Sequence, residues 1–357
     1  MLMEPTLLRV HIDLRQVKKP GDPYTGTSTI CFSPSFEDPP FLCREAQGWS
    51  CQPDRFMFFA DKSHVSIQGA TVVQGKKTFK PSSIEKVSGA AQEGCLFAVN
   101  LAAPVASDYG TSCELQIKFS GTAAAQGSFL GVYTIPQHDI ITSFFEVTHE
   151  RKAFPCIDAP SLRVPFELAL QVRKEYETVL GNTEVADEKQ SGDGSRIVKF
   201  GATQMALPAY VHAFFCAACP MQSMKGTFAN ALNGGSEMQV AVYATKASKF
   251  PVQLAFNTTM SSLELLSAFF DLPLPQTKLD VVIVPGMSIA GMEHDGLISI
   301  NEDTGVKKAG GLVKNLDEQV VQLLVHEVTH HWIGNWVGVP FAMKEGVCQI
   351  VEQCLGD

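Results

Sequence analysis

The chain has 357 residues, which predicts two domains, and its 45% hydrophobic and 18% charged residues are typical of a soluble globular protein. The net charge is −9 and basic runs such as Lys76-Lys77 are short, so nucleic acid and anionic membranes are disfavoured as partners. No apolar stretch approaches the ~20 residues that span a bilayer, and the N-terminus does not match a signal peptide. We therefore expect a cytoplasmic protein whose ten cysteines are reduced.

Residues 1–245 are predicted to form an all-β domain. Five segments alternate apolar and polar residues, as strands with one buried face do. They are Leu8–Leu14, Val65–Val73, Cys113–Ser120, Val164–Val172 and Met238–Ala244. The polar stretch Asn182–Arg196 predicts a hairpin or loop tip, and the apolar stretch Met205–Met221 predicts a buried strand with its turn.

Residues 246–357 are predicted to form a mixed α/β segment. Three segments carry apolar residues at helical spacing, and they are Phe250–Phe270, Leu316–Trp336 and Met343–Leu355. Leu279–Pro285 is a continuous apolar run, as expected of a strand buried on both faces. The fold class is therefore α+β and multidomain. Since the chain stops at Asp357, directly after the last helix, we expect the second domain to be truncated.

A metal-binding motif lies on the second of these helices. His326-Glu327-Val-Thr-His330 has the H-E-x-x-H pattern, and residues four apart share one helical face. The two imidazoles can then reach one zinc ion, while Glu327 beside them can hold an attacking water. The alternative is an amphipathic helix with two structural histidines.

A third zinc ligand is expected from the following helix. Glu345 and Glu352 are seven residues apart, so they share a face. One can bind zinc while the other orients a zinc-bound histidine. Alternatively, one or both are ordinary solvated glutamates.

Two further features carry no chemistry in this interpretation. His331 points to a different face from the motif histidines and is expected to be a packing or surface residue. The thiols of Cys216-Ala-Ala-Cys219 have redox-motif spacing, but their apolar surroundings predict buried, unreactive cysteines.

The segment His326-Glu-Val-Thr-His-His-Trp-Ile-Gly-Asn335 resembles the zinc helix of the gluzincin aminopeptidases, a family that includes aminopeptidase N, puromycin-sensitive aminopeptidase and leukotriene hydrolase. Lys344-Glu-Gly346 is similar to that family's Asn-Glu-Gly, and Glu352 is similar to its later glutamate. Ala290-Gly-Met-Glu-His294 resembles its Gly-Ala-Met-Glu-Asn exopeptidase motif. Glu146–Asp158 resembles its Phe-Pro-Cys-Phe-Asp region.

The resemblance implies a saddle-like N-terminal β domain over residues 1–245, followed by the first part of a thermolysin-like catalytic domain over 246–357. It implies one zinc ion per chain, held by the residues His326, His330 and Glu345. Glu352 would orient one of the zinc-bound histidines. Glu327 would be the catalytic base. The substrate's free amine would be bound by Glu293 and Glu146, beside the other exopeptidase-motif residues, which are Ala290, Gly291, Met292 and His294.

Four positions depart from the family pattern. His294 stands where the family has asparagine, and Phe144 stands where the family often has glutamine. Gln349 stands at the family's usual spacing for the third zinc ligand. The family's transition-state tyrosine lies beyond that ligand, and this chain has no tyrosine after Tyr243. We therefore expect the chain by itself to be inactive or nearly so, because one lost oxyanion donor costs about 10²–10³ in rate.

The predicted function is a zinc aminopeptidase that removes residues from peptides with a free N-terminus. Two alternatives stay open from the sequence. One is a non-catalytic scaffold that keeps the fold, and the other is an epoxide hydrolase of the leukotriene type.

Overall fold

The computed structural model describes residues 2–35, 51–87, 95–106, 112–125, 131–159, 162–230, 232, 235–305 and 316–355. Within these ranges the chain is mostly β-sheet with three α-helices, and the α-helices all follow the strand-rich first part. No helix among the described residues is both long and apolar enough to cross a membrane.

The strands are named in chain order. They are β1 (Leu2–Asp13), β2 (Pro23–Ser35), β3 (Arg55–Phe59), β4 (Val65–Gln74), β5 (Lys77–Phe79), β6 (Ser83–Lys86), β7 (Leu96–Asn100), β8 (Cys113–Thr122), β9 (Ala124–Ala125), β10 (Gly131–Ile135), β11 (Ile140–Phe144), β12 (Arg163–Val164), β13 (Phe166–Arg173), β14 (Thr178–Gly181), β15 (Val185–Gln190), β16 (Ser195–Phe200), β17 (Leu207–Pro208), β18 (Phe214–Ala217), β19 (Met221–Asn230), β20 (Ser236–Thr245), β21 (Lys278–Val284), β22 (Gly291–Met292) and β23 (Leu297–Asn301).

The helices are α1 (Val252–Phe270), α2 (Leu316–Thr329) and α3 (Phe341–Leu355). Short 3₁₀ turns lie at Pro136–His138, Glu150–Lys152, Ala209–Val211 and Glu302–Gly305.

The chain forms two compact units, each built from non-contiguous stretches. Unit 1 comprises Met1–Pro136, Ile141–Glu175 and Val185–His212. Unit 2 comprises Gln137–Ile140, Tyr176–Glu184 and Ala213–Asp357. The division predicted at residue 245 stays a proposal.

Unit 1 is built around an eight-stranded sheet in the order β15-β16-β13-β1-β2-β8-β4-β5. Strand β1 pairs parallel with β13 and antiparallel with β2. Strand β13 alternates buried and half-buried residues along its length, so one face carries the core. A smaller sheet, β3-β7-β6, belongs to the same unit. The alternating segments predicted from the sequence are confirmed as strands. The hairpin predicted at Asn182–Arg196 is confirmed too, because this stretch contains β15 and the start of β16, which pair antiparallel.

Unit 2 contains a five-stranded mixed sheet in the order β19-β20-β21-β23-β22. Its central strand β21 runs parallel to both β20 and β23, and all seven of its residues are buried. This burial confirms the strand predicted from the apolar run. Strand β22 closes one edge by pairing antiparallel with β23.

The three helices pack with this sheet around one hydrophobic core. Leu263 of α1, Leu324 of α2 and Val351 of α3 belong to the same buried cluster as Val281 of β21 and Ile300 of β23. The shared core fixes the helix that carries the H-E-x-x-H motif against the sheet.

The helix predicted over Leu316–Trp336 was too long at its C-terminal end, because α2 ends at Thr329. The chain then turns, and Gly334 has a φ angle of 115°, which residues with a Cβ rarely adopt. Trp332 is buried all the same, and its Nε1 donates to the carbonyl of Leu272 at 2.8 Å. Its apolar character reflects tertiary packing and not helical periodicity.

Replacing Leu324 with alanine is expected to lower the free energy of unfolding by about 2–5 kcal/mol, because the side chain is fully buried in the unit 2 core. The matched control is Leu265→Ala, on a helix of the same core, since Leu265 is 50% exposed and should change stability by less than about 0.5 kcal/mol. Urea denaturation followed by circular dichroism measures both. Equal losses would show that this core does not limit stability.

Candidate metal centre

The two motif histidines turn the same ring nitrogen toward each other. His326 lies in the last turn of α2 and His330 directly follows the helix, and their Nε2 atoms are 3.0 Å apart. His330 is buried and His326 is half-buried. The i, i+4 spacing therefore converges as expected from the geometry of a helix.

Each histidine is oriented through its other ring nitrogen. The Nδ1 of His326 lies 2.6 Å from Glu352 Oε2, and the Nδ1 of His330 lies 3.1 Å from the Ile333 carbonyl oxygen. Both partners are acceptors, so in the neutral imidazoles the proton belongs on Nδ1 and the lone pair on Nε2. Two facing lone pairs repel unless a cation lies beside them, so the arrangement fits a metal ion.

Glu345 on α3 supplies an anionic donor to the same place. Its carboxylate oxygens lie 3.3 Å from His326 Nε2 and 3.8 Å from His330 Nε2. The ligand atoms of these three residues all lie within 4.8 Å of one another. Gln349, at the usual family spacing, is exposed on the same helix.

The charges around the cluster hold its carboxylates ionised. Burial by itself would raise the pKa of Glu345, but hydrogen bonds from the protonated forms of His326 and His330 and the Lys344 charge hold this pKa well below its ordinary value. Burial also opposes the charged form of His326, yet the Glu345 and Glu352 carboxylates raise its pKa above 6.5. Metal ligands of the oxygen type must be deprotonated, and this environment favours that state in Glu345.

Glu327 lies beside the cluster and against the edge strand of the sheet. It is buried, and one of its carboxylate oxygens lies within 4.8 Å of possible ligand atoms of Glu293 and His330. A Cβ at Gly291 in β22 would overlap the Glu327 carboxylate. The absence of a side chain at Gly291 therefore leaves the room that Glu327 occupies.

The exopeptidase-motif residues form β22 and the turn that follows it. Met292 pairs with Ser299 in β23, and the Ala290 carbonyl accepts from the Asn301 N–H at 2.8 Å. His294 is buried, with its Nδ1 3.4 Å from Ser299 Oγ. The motif therefore lies next to the metal cluster through Glu293.

Glu146 lies two residues after the end of β11, in unit 1, and is half-buried. All the other site residues predicted from the sequence belong to unit 2, where the structure brings together the two histidines, Glu345, Glu352, Glu327 and Glu293. The role of Glu146 stays a prediction.

His331 packs inside the protein, as one of its two expected roles required. Burial lowers the pKa of its imidazole to about 4, so the ring is neutral. Its Nε2 then accepts a hydrogen bond from the Gly296 backbone N–H at 3.2 Å. Of the CxxC pair, Cys216 is buried and Cys219 is half-buried, and both are in the reduced form.

The sequence interpretation missed two neighbours of the cluster. Cys348 Sγ lies 3.2 Å from His330 Nδ1, and burial raises the pKa of its thiol, which keeps it protonated. Lys344 Nζ donates to Glu293 Oε1 at 2.5 Å. The sequence contained a signal for Lys344, because this lysine stands where the family motif has asparagine.

Comparison with known proteins gives two family matches that together cover most of the chain. The model of the Peptidase M1 N-terminal domain matches residues 56–211, and that of the Peptidase family M1 domain matches residues 254–355.

Curated relatives match at low identity. The chain is 28% identical to the puromycin-sensitive aminopeptidase of Caenorhabditis elegans over 67% of the chain and 25% of that protein. It is 26% identical to aminopeptidase Q of Homo sapiens over 64% of the chain and 23% of the relative. Aminopeptidase 2 of Candida albicans is 25% identical over 65% of the chain and 24% of that relative. The chain thus spans about a quarter of the length of these relatives.

Proposed function

Because this chain belongs to the M1 peptidase family, we propose that it carries the metal centre of a zinc aminopeptidase that removes N-terminal residues from peptides. The observation that carries the proposal is the convergence of two histidine Nε2 atoms and the Glu345 carboxylate. Two histidines with one glutamate form the donor set of many catalytic zinc sites.

His326, His330 and Glu345 would hold one zinc ion, and Glu352 would fix the ring of His326. When bound, zinc polarises the scissile carbonyl and increases the acidity of an attacking water. The partner of His326 is a carboxylate 2.6 Å away, which makes the imidazole a stronger donor.

Glu327 would act as the catalytic base. Its carboxylate is held in a buried position beside His330 and can accept a proton from the attacking water. The same carboxyl group then delivers that proton to the leaving amine. Proton transfer by a positioned side chain contributes about 10²–10⁴ in rate.

Recognition of the N-terminus is assigned to two glutamates. Glu293 follows β22 next to the metal cluster, and its charge suits an ammonium group. Glu146, from unit 1, is proposed for the same task on the resemblance alone. The residues Ala290, Gly291, Met292 and His294 would shape the edge along which the substrate lies.

The finer architecture is also a proposal. We assign residues 1–245 to a saddle-like β domain and residues 246–357 to the first part of a thermolysin-like domain. The strand-rich beginning of the chain and the three helices that follow residue 245 support this assignment. We also propose the cytoplasmic location that the sequence predicts.

Replacing Glu352 with glutamine is expected to weaken zinc binding about 10–100-fold, because the amide is a weaker acceptor for the His326 Nδ1–H than a carboxylate. Competition with a chelating dye measures the zinc dissociation constant. Gln353→Ala, an exposed neighbour on α3, is the matched control. An unchanged constant in Glu352→Gln would remove Glu352 from the site.

The proposed function is tested on the full-length protein with unblocked peptides. We expect successive loss of N-terminal residues by mass spectrometry, abolished by a chelator and restored by zinc. Fragments from internal cleavage would instead identify an endopeptidase.

The second candidate is a non-catalytic scaffold, and the pairing of Glu293 with Lys344 favours it, because this carboxylate already has a cationic partner. Stoichiometric zinc without peptide turnover would support the scaffold. Turnover of an allylic epoxide, again without peptide turnover, would point to the epoxide hydrolase.

A further inference from the structure

A buried lysine lies among the carboxylates of the metal centre. Lys344 Nζ donates to Glu293 Oε1 at 2.5 Å and lies 3.3 Å from Glu345 Oε1. The side chains of Lys344 and Glu293 are 3% and 4% exposed. The ammonium also lies over the Phe341 ring, 5.1 Å from its centroid. The position of this cation is therefore defined from several sides.

The ion pair between Lys344 and Glu293 is a fixed part of the centre. A buried charge without a partner is strongly unfavourable, so separating Lys344 from Glu293 requires a new partner for each of them. The backbone of Glu293 is held as well, because Asn335 Nδ2 donates to its carbonyl at 2.9 Å. The Glu293 carboxylate is thus positioned and charge-balanced by residues of the chain itself.

A peptide's N-terminal ammonium has the same charge and the same three N–H donors as the lysine ammonium. It can pair fully with Glu293 only if it displaces Lys344, and otherwise it meets a second positive charge nearby. An uncharged N-terminus meets no such repulsion.

We propose that Lys344 is a specificity-determining residue, an internal ammonium that competes with the substrate's N-terminal ammonium for Glu293. The inference rests on the proposed aminopeptidase function and refines its substrate class. The centre accepts peptides with little preference for a charged over an uncharged N-terminus. Lys344 sets this preference without taking part in the proton transfer of Glu327.

Two probes of matched shape test the competition by binding alone. They are 3-methylbutylamine, a cation, and 3-methylbutanol, which is neutral, titrated by calorimetry into the zinc-loaded full-length protein. We expect the wild type to bind them within a few-fold of each other. Lys344→Gln should bind the amine about 10–100-fold more tightly, since a charge-assisted hydrogen bond to Glu293 becomes available, with the alcohol unchanged.

Control variants isolate the ion pair. Lys344→Arg keeps the cation and should behave as the wild type, while adding Glu293→Gln to Lys344→Gln should cancel the gain. Lys344→Met is a second neutral variant, and thermal melts show which variants fold. A gain that survives Glu293→Gln, equal affinities in every variant, or no measurable binding overturns the proposal.

The wild type supplies a test that needs no variant. The ratio of kcat/KM for a free and an N-acetylated peptide should stay within about tenfold, and a preference for the free peptide above about a hundredfold overturns the inference. Failure of the proposed function is distinguishable, because it removes peptide turnover and leaves the amine gain in the binding experiment. An active protein without that gain defeats the inference alone.

Discussion

The His330→Ala variant is expected to lose stoichiometric zinc, with a loss of affinity larger than the roughly 10–100-fold that follows from removing an outer partner. His330 is buried, and its Nε2 lies 3.0 Å from the Nε2 of His326 and 3.8 Å from the carboxylate of Glu345. Alanine leaves two of the three proposed donors. Elemental analysis of the folded protein gives the stoichiometry, and chelator competition gives the affinity.

Glu345, the third proposed ligand, is tested in the same experiment with two variants on α3. Glu345→Gln removes the negative charge next to the histidines and should also lower zinc affinity strongly. Gln349→Ala, which changes an exposed residue one turn later, should leave zinc binding unchanged. Full zinc retention in His330→Ala, or equal effects of the two α3 variants, would refute this ligand set.

In the full-length protein, Glu327→Gln is expected to lower kcat/KM for peptide hydrolysis about 10²–10⁴-fold while zinc stays bound. The amide has nearly the shape of the carboxylate and fits the room beside Gly291, but it accepts no proton. We expect turnover to fall without loss of zinc because Glu327 is not one of the three proposed zinc ligands. Aminoacyl-coumarin hydrolysis and zinc analysis on the same sample measure both.

Glu318→Gln is the matched control for this variant. Glu318 is exposed in the first turn of the same helix, so its substitution changes the net charge equally without reaching the metal centre. Its kcat/KM should match the wild type. Turnover in Glu327→Gln that equals this control would assign the base to another residue.

The sequence predicted those strands in which side chains alternate between core and solvent, because burial then appears directly as a period of two. Cys113–Thr122 and Phe166–Arg173 are examples. The long strands Pro23–Ser35 and Met221–Asn230 were not predicted. Each contains glycine, serine and threonine, which interrupt the alternation of apolar and polar residues. The extended form of each strand therefore depends on pairing with neighbouring strands.

For the site, local geometry was enough wherever the residues share a helix face. The H-E-x-x-H spacing by itself brings His326 and His330 together, and the heptad spacing places Glu345 and Glu352 on one side of α3. The pairing of Lys344 with Glu293 joins residues 51 positions apart. It depends on how α3 packs near the end of β22, which no local pattern records.

Unit 2 has a consequence for synthesis and dissection of the protein, because its chain is discontinuous. The short stretch Tyr176–Glu184 supplies Asn182, which donates to the Asp295 carbonyl at 2.7 Å, and the Gly181 carbonyl, which accepts from Lys278 at 2.5 Å. Gly296 passes so close to Asn182 that a Cβ there would overlap its carbonyl oxygen.

A shortened chain that begins at Lys246 would therefore expose the buried Lys278 ammonium with one acceptor missing, directly beneath the turn that leads from Glu293 to β23. During translation this stretch is made before β21 and the turn that precedes β23, so its contacts with Lys278 and Asp295 can form only after those later residues have left the ribosome.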